Sequence, residues 1–321
     1  MDGNFVIYSD SFDPYYNLAL EEFLLENAPE QGCILYLWQN QHTVVIGKNQ
    51  NPWAECRLSL LQEEGGYLAR RLSGGGAVYH DLGNLNFTFL CKEKNYHLNR
   101  QLSVIQRAAA LAGITAEFSG RNDLLAQGRK FSGNAFYHGK VNAYHHGTLL
   151  IDTDMEKLQR YLNPPKAKLQ AKGVQSVRSR VVNLKELSPA LTCDQMKEHM
   201  RAAFEEIYGK CEHLSLTQQD HQQILQLRDR YESQPWLLGR VLPFSCRMDG
   251  RLSFGQLELQ LQIEGGVIRD LQAYTDAMDA DLPQKIIQAL KNCPLESSSL
   301  QIALKDLAIG DELYPFILEQ I

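Results

Sequence analysis

Three consecutive glycines, Gly74-Gly75-Gly76, follow an arginine pair, Arg70-Arg71, and precede His80-Asp81 in the stretch LARRLSGGGAVYHDLGN. Backbone N–H groups with no side chains around them can face one ligand and form a nest for an anion. Arginine forks match carboxylate and phosphate oxygens. The loop is not a Walker A element, because no Gly-Lys-Ser/Thr follows, and it lacks the G-x-G-x-x-G spacing of a dinucleotide site. A triple glycine is also an ordinary hairpin turn; the flanking charges tilt the reading towards a ligand. Further on, GRKFSGNAF sets Lys130 beside Phe131, Ser132 and Gly133. A lysine on a strand can be an edge gatekeeper. It can also touch a carboxylate and an α-phosphate together, offset their repulsion and stabilise the charge that develops between them. The chemistry is then that of an acyl adenylate.

Asn122-Asp123, just before the lysine strand, offers either an Asx turn or a carboxylate for phosphate-borne Mg²⁺. His145 and His146 are neighbours on a strand and face opposite ways, so one faces the site and the other packs; a shared zinc ion is disfavoured. Leu18, Trp38, Val44 and Val45 are core residues or the lining of an acyl tunnel. Burying an eight-carbon chain there would contribute roughly 0.8 kcal/mol per methylene.

These residues need elements to position them. FVIYSD reads as a strand, and PYYNLALEEFLLENA as a helix started by Asp13-Pro14. CILYLWQN and TVVIGKNQ are strands, LSLLQEEGG a short helix, and YLARRLS, AVYHDLGNLNFTFLC and the stretch 116–152 further strands. Helices are expected at 101–112, from near Met155, at about 192–208 and at about 217–231. The segment 164–183 carries Lys166, Lys168, Lys172, Arg178 and Arg180 and no acid, as a solvated loop or a lid over a labile anhydride would. SQPWLLGRVLPF, 233–244, reads as a linker. After it RLSFGQLELQLQIEGGVIRDLQAYTD is a hairpin with a Gly-Gly turn, followed by two short helices near 282–292 and 299–308. The expectation is an α+β protein with a mostly antiparallel sheet, divided into residues 1–243 and 244–321.

The bulk numbers exclude some classes. The 321 residues carry a net charge of −6, against the basic balance of a nucleic-acid binder. The start has neither a basic segment nor a signal-type apolar core, and no run is long enough to span a membrane, so a cytoplasmic protein is expected. The seven cysteines are scattered, with none between 92 and 192, as reduced packing thiols would be.

RRLSGGGAVYHDLGN, SGRNDL, RKFSGNAF, HHGTLL and KGVQSVRSRVVNL, with the earlier NLALEEFLL and VVIGKNQNPWAEC, together resemble the lipoate–protein ligase A family over residues 5–190. The C-terminal unit is similar in size and pattern to the accessory domain of its two-domain bacterial members. The resemblance implies a fold shared with biotin–protein ligase catalytic domains. It implies that lipoate and ATP, with Mg²⁺, give lipoyl-AMP and pyrophosphate. The lipoyl group then passes to a lysine of a lipoyl domain of a 2-oxoacid dehydrogenase complex or of the glycine-cleavage H protein.

By position, the resemblance places Arg71, Ser73, Gly74, Gly75, Gly76, Ala77, Val78, Tyr79, Asp123 and Lys130 at the adenylate, with Lys130 the catalytic residue. The resemblance also sets Trp38 at the lipoate pocket and the basic run at the adenylate; Leu18, Arg71 and His146 are further candidates for that pocket and Asp123 for the metal. Some members carry an arginine after the SGNA-type segment; Phe136-Tyr137-His138 stand there in this chain. A monomer that serves lipoate scavenging is expected, with His80, His146 and Asp123 as candidate bases for the acceptor amine. The alternatives are an octanoyl or lipoyl transferase, whose cysteine mechanism the empty interval 92–192 opposes, a non-catalytic lipoate-binding protein, and a biotin ligase.

Overall fold

The computed structural model describes residues 2–119, 122–163, 181–240 and 242–321. The strands of the first part are β1 (Asn4–Tyr8), β2 (Ile34–Trp38), β3 (Thr43–Ile46), β4 (Tyr67–Arg70), β5 (Val78–His80), β6 (Asn84–Lys92), β7 (Glu117–Ser119), β8 (Asp123–Ala126), β9 (Arg129–His138), β10 (Asn142–Leu150) and β11 (Cys211–His213). Eight of them form one sheet in the order β11-β1-β2-β6-β10-β9-β8-β7. β1 runs parallel to β2 and β11, and the other neighbours pair antiparallel. β3, β4 and β5 make a second, small sheet in the order β4-β3-β5.

Alternation along the strands divides the large sheet between two cores. Leu35 and Leu37 of β2 and Phe87 and Phe89 of β6 join the helices Leu98–Leu111 and Cys193–Tyr208 on one face. Ile34, Tyr36 and Trp38 of β2, with Tyr144 of β10, meet helix α1 (Pro14–Glu26) and the small sheet on the other. Asp13 caps α1, its carboxylate accepting from the Tyr15 N–H at 2.9 Å, with Pro14 in the first turn. α1 buries almost its whole length, Glu21 and Glu22 included, because the helix Gln218–Glu232 covers the side turned away from the sheet.

The C-terminal part builds its own core, from Met248 to Ile317. β12 (Cys246–Leu252), β13 (Gly255–Glu264) and β14 (Val267–Thr275) form an antiparallel meander, with Gly265 and Gly266, both at positive φ, in the turn between β13 and β14. Helices Leu282–Leu290 and Ser297–Leu304 follow as expected, and a third, Gly310–Leu318, was not expected; Pro315 lies inside it. The proline, normally a helix breaker, hides that helix from a sequence reading. The expected linker also differs: Gln234–Leu238 is helical with Pro235 in its first turn. Trp236 Nε1 donates to the Arg70 carbonyl at 2.9 Å, which fastens this segment to the first part. Among the described residues no helix is long and apolar enough to cross a membrane.

Candidate active site

A cavity of about 370 Å³ opens on the α1 face of the large sheet, between that sheet and the C-terminal unit. Its apolar wall comprises Leu18 of α1, Trp38 of β2, Val45 of β3, and Ala77 and Val78. Asn86, His146 and Thr148 project from β6 and β10 on the Trp38 face. Alternation separates the paired residues. Val78 and His80 line the cavity, whereas Tyr79 packs behind it against His42 and Tyr161. His146 faces the cavity, whereas His145 points into the opposite core, beside Phe87 and Phe89.

The glycine loop is held from within. Arg71 is 5% exposed. Its guanidinium donates to the carbonyls of Gly74 (2.8 Å), Gly76 (2.8 Å) and Val45 (3.2 Å), and to Ser73 Oγ (3.0 Å). Burial lowers its pKa to about 10, still a cation at neutral pH. Arg71 lines the cavity, and its hydrogen bonds shape the loop. Gly75 sits at φ +85°, where a side chain would be strained, and its N–H donates to the Ala277 carbonyl at 3.1 Å. A Cβ on Gly74 would lie 2.3 Å from that same carbonyl oxygen. The three amides therefore do not all converge on a free anion site: Gly75 and Gly76 line the cavity, while Gly74 is packed under the C-terminal unit.

Two flanking charges also turn out to be structural. Arg70 donates to the carbonyls of Lys48, Gln50 and Leu237, at 2.9, 2.8 and 2.7 Å. Asp81 accepts from the N–H groups of Gly83 and Asp154. Neither lines the cavity.

Lys130 and Asp123 do line it, 2.7 Å apart as an ion pair, each side chain about one-third exposed. Gly133 makes the lysine conformation possible, because a Cβ there would stand 2.9 Å from Nζ. A bulge in the β8–β9 pairing brings Asp123 opposite Gly133, and so sets the carboxylate beside the folded-back ammonium. The Lys130 carbonyl accepts from the Val182 N–H at 2.9 Å, which anchors the far end of the basic run on the lysine strand. Residues 164–180 of that run, with all five of its basic side chains, lie outside the described residues.

Beneath the apolar wall runs a buried polar chain that sequence reasoning missed. Trp38 Nε1 donates to Thr88 Oγ1 (3.1 Å), which donates to Glu21 Oε1 (2.7 Å). Because a carboxylate accepts, His146 Nδ1 donates to the same oxygen (2.8 Å), leaving Nε2 for Ser73 Oγ at 2.8 Å. Ser73 thus acts behind the loop and is not itself part of the lining. The available signal was an acid inside an otherwise apolar helix, LALEEFLL. Burial pushes His80 down to about 3, so it stays neutral. Among the described residues, no cluster of three or more His, Cys, Asp or Glu could hold a metal ion, and no cysteine lines the cavity.

The cover was also missed. Arg251 at the end of β12, Phe254 in the turn and Gly255 at the start of β13, with Asp276 and Met278 after β14, complete the lining. The contact is mostly backbone: Thr275 N–H donates to the Asn49 carbonyl, and Asn49 Nδ2 to the Ala280 carbonyl at 2.7 Å. Sequence alone could not bring residues so distant in the chain onto one wall.

The chain is similar to known proteins over its whole length. A family model described as the lipoyl protein ligase A/B catalytic domain matches residues 13–205, and one described as the bacterial lipoate protein ligase C-terminus matches residues 242–321. The chain belongs to the lipoyl protein ligase A/B family. A relative named lipoate-protein ligase A, from Bdellovibrio bacteriovorus, is 44% identical over 307 residues, 93% of this chain and 91% of that one. The solved structure of P. falciparum LipL1 in complex with lipoate is 29% identical with a TM-score of 0.86, covering 99% of this chain and 100% of that one. A solved structure from Thermoplasma acidophilum, from a structural analysis of an archaeal lipoylation system described as a bi-partite lipoate protein ligase and its E2 lipoyl domain, shares the fold at 23% identity. Its TM-score is 0.68, with 77% of this chain and 100% of that one covered.

Proposed function

We propose that this protein is an ATP-dependent lipoate–protein ligase. One observation carries the reading: a single cavity holds an apolar wall of Leu18, Trp38 and Val45 together with Lys130 and the glycine loop. An apolar acid can bury its chain there and keep its carboxylate beside a cation. In the first step a carboxylate oxygen attacks the α-phosphorus of ATP; that O–P bond forms, the bond to the bridging oxygen breaks, and pyrophosphate leaves. Lys130 is the catalytic residue, contacting both anions where charge develops. Arg71, Ser73 and Gly74 hold the loop through Gly75, Gly76, Ala77 and Val78 in shape for the adenylate, and Tyr79 packs it from behind. In the second step an acceptor lysine attacks the acyl carbon, the C–N bond forms and AMP departs with the C–O bond pair.

Mg²⁺ fits this site as a companion of the nucleotide. Its usual ligands are one or two carboxylates plus phosphate oxygens, and Asp123 is the carboxylate that the cavity offers beside Lys130. Bound there, the ion would offset phosphate charge. Asp123 also remains as a base for the acceptor amine: it is an anion on the cavity wall, whereas His80 is buried and held neutral and His146 is engaged at both ring nitrogens.

The acceptors in this reading are apo lipoyl domains of 2-oxoacid dehydrogenase complexes and the glycine-cleavage H protein. The ligase acts in the cytoplasm as a monomer, with residues 1–243 catalytic and 244–321 accessory. The test is incubation with lipoate, Mg-ATP and an apo lipoyl domain. Mass gain at the acceptor lysine together with pyrophosphate release is the expected result. Transfer from preformed lipoyl-AMP without pyrophosphate release from ATP would make the protein a transferase.

A further inference from the structure

We propose that Arg251, a residue of the accessory unit, is a contact for the β- and γ-phosphates of a nucleoside triphosphate in the cavity. The inference rests on the ligase reading, and starts from a census of charge. Among the described residues three arginine or lysine side chains line the cavity: Arg71, Lys130 and Arg251. Arg71 donates from Nε and both terminal nitrogens to acceptors of its own loop and of β3. Lys130 is paired with Asp123 at 2.7 Å. A triphosphate carries about four negative charges near neutral pH, given second phosphate pKa values near 6; Arg71 and Lys130 match about two of these, and both are already shared with protein acceptors, so a third protein cation has a place beside the Mg²⁺ of the nucleotide.

Arg251 differs from both. It is exposed at the end of β12, and its side chain makes no hydrogen bond or ion pair with any described residue. The one carboxylate on its own wall is already directed elsewhere: Asp276 Oδ1 accepts from the Gln256 N–H at 2.6 Å, fixing the β12–β13 turn. A guanidinium with all five donors free, on the wall of a cavity built for an anion, is suited to bidentate phosphate recognition. Its backbone is rigidly paired, Arg251 to Gln256 and Leu252 to Gly255, so the wall presents the side chain from a defined place. The accessory unit then lends charge to the first half-reaction, in which the triphosphate is present. It has no such role once pyrophosphate has gone, because AMP has no β- or γ-phosphate.

The experiment is calorimetric binding of ATP, pyrophosphate and AMP to the full chain and to Arg251→Gln and Arg251→Lys. For Arg251→Gln, Kd for ATP and for pyrophosphate should rise about tenfold, the loss of one charge-assisted contact. Kd for AMP should stay within about twofold, and Arg251→Lys should recover part of the loss. Unchanged ATP and pyrophosphate affinities would overturn the assignment, as would an equal loss for AMP, which would mark a structural role. If the wild-type protein binds ATP but forms no lipoyl-AMP when lipoate and Mg²⁺ are added, the ligase reading fails, while the binding comparison still decides the phosphate contact.

Discussion

Two walls of one cavity are held in different ways. On the catalytic side Arg71 and Glu21 are both buried, and each ties several groups together: three carbonyls and a serine for Arg71, Thr88 and His146 for Glu21. On the accessory side the wall rests on a few backbone hydrogen bonds and one exposed ion pair, Lys48–Asp281 at 3.5 Å. A buried polar network is costly to break, because each group left behind has no water to turn to. An exposed polar contact is replaced by water at little cost. The catalytic wall therefore has one geometry, and the accessory wall can be perturbed without unfolding anything.

The largest effect should come from Lys130, which the proposed mechanism sets between the two anions. Lys130→Ala should slow lipoate-dependent pyrophosphate release by about 10²–10³-fold, the range for removing one preorganised electrostatic group, with thermal stability unchanged. A rate within about tenfold of wild type would move the chemistry off this lysine. Next comes the network. Arg71→Met leaves the Val45, Gly74 and Gly76 carbonyls without their donor and should cost about 3 kcal/mol in urea unfolding. The same wall shares the pH response with His145 in the opposite core, which burial also pushes down to about 3. His80 is held neutral with a pKa near 3, against 6.5 for the free side chain. Between those values the unfolded chain binds more protons, so stability is full above about pH 6.5 and falls as pH drops, by roughly 1.4 kcal/mol per unit. His80→Gln should remove about half of the histidine-linked steepness between pH 7 and 5, read as the shift of the urea midpoint, the rest being that of His145; an unchanged slope would show that His80 has no part in it.

The catalytic wall was partly legible in the sequence, the accessory wall hardly at all. Strand and helix periods gave the order of elements, and the RRLSGGG, SGRNDL and RKFSGNAF stretches brought Arg71, Asp123 and Lys130 to one space. What failed was the assignment of jobs. Arg70 and Arg71 look equivalent as a pair, yet Arg70 fastens the helix Gln234–Leu238 and Arg71 shapes the loop. Tyr79 belongs to the loop motif but faces away, because β5 starts only at Val78 and the phase of alternation is set by its pairing with β3. The role of Glu21 was hidden because nothing local distinguishes it from Glu22, which is also buried but pairs with the exposed Arg230. Arg251 and Met278 depend on how two units pack, and that is fixed by complementary backbone surfaces, which leave no spacing pattern to detect.

The smallest effects belong to the accessory wall, and a pair of substitutions sharpens the contrast. Gly74→Ala puts a Cβ at 2.3 Å from the Ala277 carbonyl oxygen and 2.7 Å from that of Met278. Both are backbone atoms and cannot swing aside, so the accessory unit has to shift, at about 1–2 kcal/mol. Lys48→Ala removes an ion pair whose lysine is 35% and whose aspartate is 70% exposed, and should cost at most about 0.5 kcal/mol. Limited proteolysis around residues 240–245, with urea unfolding of the same samples, separates the two. Gly74→Ala should speed cleavage there several-fold more than Lys48→Ala does, with the main unfolding transition moved little by either. If Gly74→Ala instead lowers global stability as much as Arg71→Met, the cover is as deeply integrated as the floor, because a clash confined to a water-replaceable contact has an escape that a clash inside a buried network lacks.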